Sequence, residues 1–456
     1  MVVGNAPTGV SAGAELYEKR VNPQWVRLLD LLGMNQTYTQ CVGEELRTAD
    51  GRVILDFLSG YCVYNAGHNH PRILEEVREE LERLGPSMLQ SHVSELAGEL
   101  AEALCNRAGG DLKKVYFCSS GSEGVETAIK FSRAFTGRDK LLYARDAFHG
   151  LTCGALSLMD NEFWSAGFGP MLPGAEGVEF GDVAGLESKL RSGKFAAYIV
   201  EPVQGEAGIC LPRENYLTEA QRLCRKHGTL LALDEVQTGL YRTGKFLAGQ
   251  HYGVTPDMVI LAKALSGGVV PSGAVLMTDA IYESVYNSLR RAIVHTSTYS
   301  ENSLAMRAGL ATLRVLEDEK LGERAEGMGA DLRAQLRDAL QEFEMVREVR
   351  GLGMFSGIEF QSPKSLRLKL PFETFRKIHA GMFGQMLVMR LYREHGIMTQ
   401  ICGNNFMVLK VAPPLNSRRG SLDKFVTSVR EVVEYVHRSG SFWADALALA
   451  GRASRI

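Results

Sequence analysis

Hydrophobic and polar residues follow two periods along this chain, and the switch between them marks its elements. Over Leu74–Leu84 (LEEVREELERL) apolar side chains recur at steps of three and four among charges spaced four apart, which predicts a surface helix. Leu96–Cys105 reads the same way. From about residue 115 short apolar runs take over, at Lys114–Cys118, Lys140–Ala144, Ala196–Val200, Leu230–Leu233, Met258–Leu261 and Gly273–Met277. Helical patterns stand among them, at Ser122–Phe135 and Tyr216–His227. Strands that alternate with helices predict βαβ units and a mostly parallel sheet. Past Asn302 a helical pattern runs through Arg314, Met345–Phe360 shows strand-like runs broken at Gly351 and Gly353, and Leu422–His437 is helical again.

The 456 residues suit two or three domains, or one large enzyme-sized α/β body. The expected architecture is α/β. A large domain over 76–315 carries a mostly parallel sheet flanked by helices. A smaller α+β domain draws on an N-terminal arm (1–75) and a C-terminal segment (316–456).

Composition narrows the classes. With 45% apolar and 23% charged residues the chain is not disordered, collagen-like or disulfide-stapled. The net charge of −2 comes without any basic block, which argues against nucleic-acid or polybasic membrane binding. Eight scattered cysteines include no C-x-x-C and no metal-ligand spacing, so no metal is expected and the thiols fit a reducing compartment. No apolar run approaches the roughly 18 residues of a membrane span. Met1–Gly13 lacks the charged-then-apolar order of a signal peptide, so the expected location is the cytoplasm.

The chemistry gathers at strand ends. In an open parallel sheet, ligands sit beyond the carboxyl ends of the strands. Three successive apolar runs lead into a charged residue there, namely Glu201, Asp234 and Lys263, at spacings of 33 and 29 residues. Each spacing suits one strand–helix–strand step. Cys118-Ser119-Ser120-Gly121-Ser122-Glu123 ends a strand and opens a helix, a place where backbone N–H groups and the helix dipole receive an anion. Phe148-His149-Gly150, after Lys140–Ala144, brings an aromatic ring to the same rim. A phosphate cradle, a flat ring, an acid and a lysine together describe pyridoxal 5′-phosphate better than a nucleotide. Lys263 offers the primary amine that forms a Schiff base with its aldehyde, and Asp234 keeps the ring nitrogen protonated by opposite charge.

At this point the sequence resembles the class III (ω-type) aminotransferases, a branch of the fold-type-I pyridoxal-phosphate enzymes. The resemblance rests on Asp56–Tyr61 (DFLSGY), Gly67–Pro71 (GHNHP), Ser120–Glu123 (SGSE), Phe148–Gly150 (FHG) and Glu201–Glu206 (EPVQGE). It continues through Leu233–Gly239 (LDEVQTG), Arg242–Gly244 (RTG), Lys263–Gly268 (KALSGG) and Thr296–Tyr299 (TSTY). It implies that Gly121 and Ser122 bind the phosphate, with His149 and Glu201 also in the cofactor site. Phe148 would stack on the ring and Gln237 lie near its 3′-oxygen. Thr298 would reach the partner subunit's cofactor in a homodimer. Tyr61, Glu206 and Lys410 would line the substrate pocket, whereas His68 and His70 are read as loop structure. The implied reaction is a ping-pong transfer of an amino group from a primary amine to a 2-oxo acid such as 2-oxoglutarate, with Lys263 moving the proton.

Two departures bear on the donor. Family members that grip an α-carboxylate usually carry Arg shortly before the Pro-Pro-Leu turn, where this chain has Lys410 ahead of Pro413-Pro414-Leu415. Lysine is a point charge without the planar fork that pairs with a carboxylate. Leu151 also stands where several ω-members have Arg or Lys after the aromatic-His-Gly triplet. Both favour a diamine, ω-amine or ω-amino acid. An α-amino acid or ornithine-type aminotransferase, or an aminomutase, racemase or decarboxylase on the same core, is the alternative. Gly239–Phe246 has the G-x-x-x-x-G-K spacing but Phe246 where a phosphate loop needs Ser or Thr, and the glycines from Gly351 to Gly357 lack the dinucleotide spacing.

Overall fold

A computed structural model describes residues 12–89, 91–213, 215–378, 381–438 and Trp443. Residues 1–11, most of the stretch read against a signal peptide, lie outside the described residues, as does nearly all of the segment after Arg438.

Three strands, β1 (Tyr38–Val42), β2 (Glu45–Thr48) and β3 (Val53–Asp56), form an antiparallel meander before helices α1 (Pro71–Glu82) and α2 (Glu95–Ala108). The central sheet follows, built from β4 (Lys114–Cys118), β5 (Lys140–Ala144), β6 (Ala175–Val178), β7 (Phe195–Val200), β8 (Leu230–Asp234), β9 (Met258–Leu261) and β10 (Gly273–Met277). Its order is β4-β10-β9-β8-β7-β5-β6. Only β10 runs against its neighbours, so the sheet is mostly parallel, as the alternating pattern predicts. Every residue of β7, β8, β9 and β10 is buried, which is why these strands appear in sequence as unbroken apolar runs. Helices α3 (Gly121–Thr136) and α4 (Tyr216–His227) flank the sheet.

Helix α5 (Ser303–Asp318) is capped by the Asn302 side chain and packs on α1 and α2. Beyond α6 (Leu321–Leu340), β11 (Val346–Leu352) and β12 (Phe355–Phe360) form a hairpin. Gly353 sits in its turn, but Gly351 does not break the strand as its sequence suggests. It lies within β11, where a Cβ would come 2.3 Å from the Phe355 carbonyl. Helix α7 (Met382–His395) leads to β13 (Ile397–Met398), β14 (Gln400–Ile401) and β15 (Val408–Val411), and α8 (Arg419–Arg438) packs on α6 and α7. The C-terminal sheet has the order β11-β12-β15-β14, and β13 leaves it to pair in parallel with β3.

Arg242 joins these layers. Fully buried, its guanidinium donates to Asn65 Oδ1, to the Met354 carbonyl at 3.1 Å and to the Pro413 carbonyl at 2.5 Å. Among the described residues no helix is long and apolar enough to cross a membrane, and all eight cysteines are unpaired.

Candidate active site

Strand ends build the site. Glu201 directly follows β7, Asp234 closes β8, and Lys263 follows β9 by two residues, at the start of a short 3-10 turn with φ +46°. All three line one cavity of about 420 Å³. The N-terminus of α3 also lines it, with Ser119, Ser120, Gly121 and Ser122. Ser120 caps that helix through the Glu123 N–H at 3.2 Å, and Glu123 reaches back to the Ser119 N–H at 2.6 Å. Ser122 Oγ accepts from the Leu151 N–H at 3.2 Å, tying the helix to the Phe148–Gly150 loop.

The buried acids are held by a chain of bonds. Asp234 Oδ2 accepts from His149 Nδ1 at 2.8 Å and Oδ1 from the Val236 N–H at 3.0 Å. Because a carboxylate only accepts, Nδ1 carries the proton. Burial works against a charged His149, but the Asp234 hydrogen bond and the Asp234 and Glu201 charges outweigh it, so its pKa stands raised. Glu201 accepts from the Phe148 and Gly205 N–H groups, each at 3.0 Å. Burial pushes its carboxyl up to about 7, against the pull of His149 and with Asp234 adding to the rise. Burial lowers the pKa of Lys263, opposed mainly by Asp234.

A second cluster adjoins the cavity through Gln237, which lines it and donates from Nε2 to Glu206 Oε1 at 3.1 Å. Glu206 Oε1 also receives Lys410 Nζ, and Oε2 receives the Gly403 N–H at 2.8 Å. Lys410 lies on β15, is fully buried, and stands 5.2 Å above the Tyr61 ring. Burial opposes its charge, but Glu206 outweighs burial and holds the ammonium above its usual range; burial raises Glu206, and Lys410, joined by the Gly403 and Gln237 hydrogen bonds, more than reverses it. The pair is an ion pair whose carboxylate also accepts from Gln237 and the Gly403 N–H.

The cavity thus brings together Gly121, Ser122, Phe148, His149, Glu201, Asp234, Gln237 and Lys263, with Tyr61, Glu206 and Lys410 clustered beside it. Thr298 is not among them: it lines a different surface cavity with Ser297, Ser300 and His92. Sequence reasoning missed Trp164, which packs edge-on to Phe148 at 5.3 Å and donates to Asn404 at 2.9 Å, and Ser272 on the cavity wall. Neither sits in a periodic segment, so only the fold reveals them.

The residues suit pyridoxal phosphate. The α3 N–H groups face the cavity, and the buried Ser272 Oγ on its wall has no hydrogen-bond partner among the described residues. That is a site for an anionic oxygen. A carboxylate for a protonated ring nitrogen and a lysine amine for an aldehyde stand in the same cavity.

Residues 33–433 match the family model described as aminotransferase class-III. The chain is 33% identical over 449 residues to the aminotransferase PigE of Serratia sp., covering 92% of this chain but 53% of that protein, so it spans about half the length of that relative. It is 36% identical over 394 residues to the putrescine aminotransferase of Pectobacterium atrosepticum, covering 84% of this chain and 79% of the other. Among solved structures, the ornithine aminotransferase of Toxoplasma gondii superposes with a TM-score of 0.80 at 28% identity, over 95% of this chain and 99% of that one. The (S)-enantioselective omega-transaminase of Thermomicrobium roseum gives 0.80 at 31% identity, over 93% and 99%.

Proposed function

Because the chain belongs to the class III aminotransferase family, we propose that it transfers an amino group from a primary amine (a diamine, ω-amine or ω-amino acid) to a 2-oxo acid such as 2-oxoglutarate. When bound, pyridoxal phosphate supplies an aldehyde that takes up the amino group and a ring that withdraws electrons from the reacting carbon. The chain's residues do the rest. Lys263 Nζ, its pKa lowered by burial, is an amine able to take a proton and return it. Asp234, oriented by His149, holds a positive N–H opposite its carboxylate. Gly121 and Ser122 present N–H and hydroxyl donors to a phosphate, Phe148 offers a ring face, and Gln237 donates on the side toward Glu206.

The Lys410–Glu206 pair carries the donor reading. With the cation already bound, the wall facing the donor's far end offers a neutral ion pair and the Tyr61 ring, which suits a terminal amine. An α-carboxylate would have to displace Glu206 from a fully buried lysine. The relative named as a putrescine aminotransferase supports this reading. An ornithine-type donor is the second reading, favoured by the ornithine aminotransferase superposition and by Lys410 as a cation for the acceptor's far carboxylate. We also propose a homodimer in which Thr298, exposed on its own cavity, completes the partner's phosphate site. Eight unpaired cysteines support a reducing cytoplasmic setting.

The test offers diamines, ω-amino acids and α-amino acids with 2-oxoglutarate and follows the cofactor's absorbance, using Lys263→Ala as the blank. Reaction with terminal amines is expected. Reaction with α-amino acids alone would reject the donor assignment, and undiminished turnover by the blank would reject the role of Lys263.

A further inference from the structure

The segment that carries Tyr61 is bent in a way that ordinary side chains resist. Ser59, Gly60, Tyr61 and Cys62 all have φ between +51° and +69°, four left-handed residues in a row, three of them not glycine. Such a turn persists only where its surroundings over-determine it. Here the surroundings are specific. Asp56, buried at the end of β3, accepts with Oδ1 from both the Leu58 and Ser59 N–H groups at 2.8 Å. Its other oxygen, Oδ2, lies 2.7 Å from His68 Nε2, so that nitrogen is the donor. Ser59 Oγ donates to the Ala412 carbonyl at 2.7 Å, one residue past β15.

His68 has a second contact. Its ring stacks on Tyr64 with centroids 3.7 Å apart. Tyr64 in turn fills the space left by two glycines. A Cβ on Gly60 would fall 2.9 Å from its Cε2, and one on Gly268 2.4 Å from its Cε1. Gly268 belongs to the loop that follows Lys263 and lines the cofactor cavity. His68 is itself pinned by two backbone bonds to Gly43, at 2.8 and 2.9 Å. One continuous contact path therefore runs from Gly43 through His68 to Asp56 and Tyr64, and on to the Tyr61 turn and the Lys263 loop.

We propose that Asp56 and His68 are positioning residues for the substrate side of the site. By holding the left-handed turn, the pair sets the Tyr61 ring against Lys410 and fixes the width available to the far end of a bifunctional substrate. His68 is thus more than loop structure, although it touches neither cofactor nor substrate. The proposal rests on the reading that Tyr61, Lys410 and Glu206 receive that far end.

The test compares His68→Leu, which keeps bulk but loses the donor, with His68→Gln, whose amide can still donate to Asp56. For whichever bifunctional donor the wild type accepts, KM in His68→Leu is expected to rise about tenfold with kcat within about threefold, the scale of a small misplacement of a positioned group. His68→Gln should recover most of that rise. Propylamine, which has no far charge, should show no change in either variant, and cofactor affinity by absorbance titration should stay within about twofold. If His68→Leu does not fold, Gly60→Ala carries the test, since it disturbs the turn against Tyr64 without changing either member of the Asp56–His68 pair, and the same selective rise in KM is expected. Unchanged KM would overturn the proposal, and so would equal losses for propylamine and the bifunctional donor. A wild type that accepts only α-amino acids would reject the donor reading; KM for that acid in His68→Leu against His68→Gln then carries the comparison, with cofactor affinity replacing propylamine as the control.

Discussion

In the proposed function a single side chain, Lys410, bears on the choice of substrate. A buried ammonium bonded to Glu206 is held by its partner, and removing one member strands the other. On the second reading, in which Glu206 yields Lys410 to the acceptor's far carboxylate, Lys410→Gln is expected to lower kcat/KM for 2-oxoglutarate on the order of 10²-fold while changing pyruvate far less, because only the former has a second carboxylate for the lysine. Steady-state kinetics with the two acceptors checks this, and equal losses would remove Lys410 from acceptor binding. Glu235 makes a prediction about pH. Burial pushes its carboxyl up to about 7, although Thr238 and the Ala248 and Gly249 N–H groups pull it down. The folded protein therefore keeps a proton that the unfolded chain has released. The stability this contributes is whole below the ordinary glutamate pKa and is lost as pH rises through about 7. The Tm advantage of wild type over Glu235→Gln should shrink from pH 5 to pH 8, and a gap that stays constant with pH would contradict the assignment.

At the scale of elements, α3 carries the proposed anion site, and its first turn depends on the Ser120 cap. Ser120→Ala should cost about 1 kcal/mol and loosen the N–H groups that face the phosphate. A fluorescence titration should then show cofactor affinity reduced about five- to tenfold. The elements also show what a sequence reveals. β7, β8 and β9 are buried on both faces, so their apolar runs stand out and the charges at Glu201, Asp234 and Lys263 are conspicuous. β6 escapes notice because AEGV is short, holds a glycine and lies at the sheet edge. β1 is half exposed and β13 has two residues, so neither has a period to read. The grouping of Tyr61, Glu206 and Lys410 came from resemblance alone. They sit on a turn, a loop and a strand whose meeting is decided by tertiary packing and leaves no local signal.

For the molecule as a whole, Arg242 is the joint. It has no carboxylate among its hydrogen-bond partners and satisfies the Asn65 side chain and two carbonyls at the ends of strands of the C-terminal sheet. Arg242→Met should cost about 3–5 kcal/mol by leaving those acceptors buried and unpaired. Urea unfolding should then show cofactor absorbance and helical circular dichroism lost together at a lower midpoint. A variant that lost only the C-terminal sheet first would show that the layers are joined elsewhere. The pairing of β13 with β3 carries this interdependence into biosynthesis. Ile397 and Met398 emerge from the ribosome roughly 340 residues after β3, tens of seconds later at about 5–20 residues per second. Through that interval the outer edge of β3 has no hydrogen-bonded neighbour in its sheet, which is a template for wrong partners. Translation truncated before residue 397 should accordingly yield aggregates, and chaperones that shield strand edges should matter most to the newborn chain, long before any cofactor arrives.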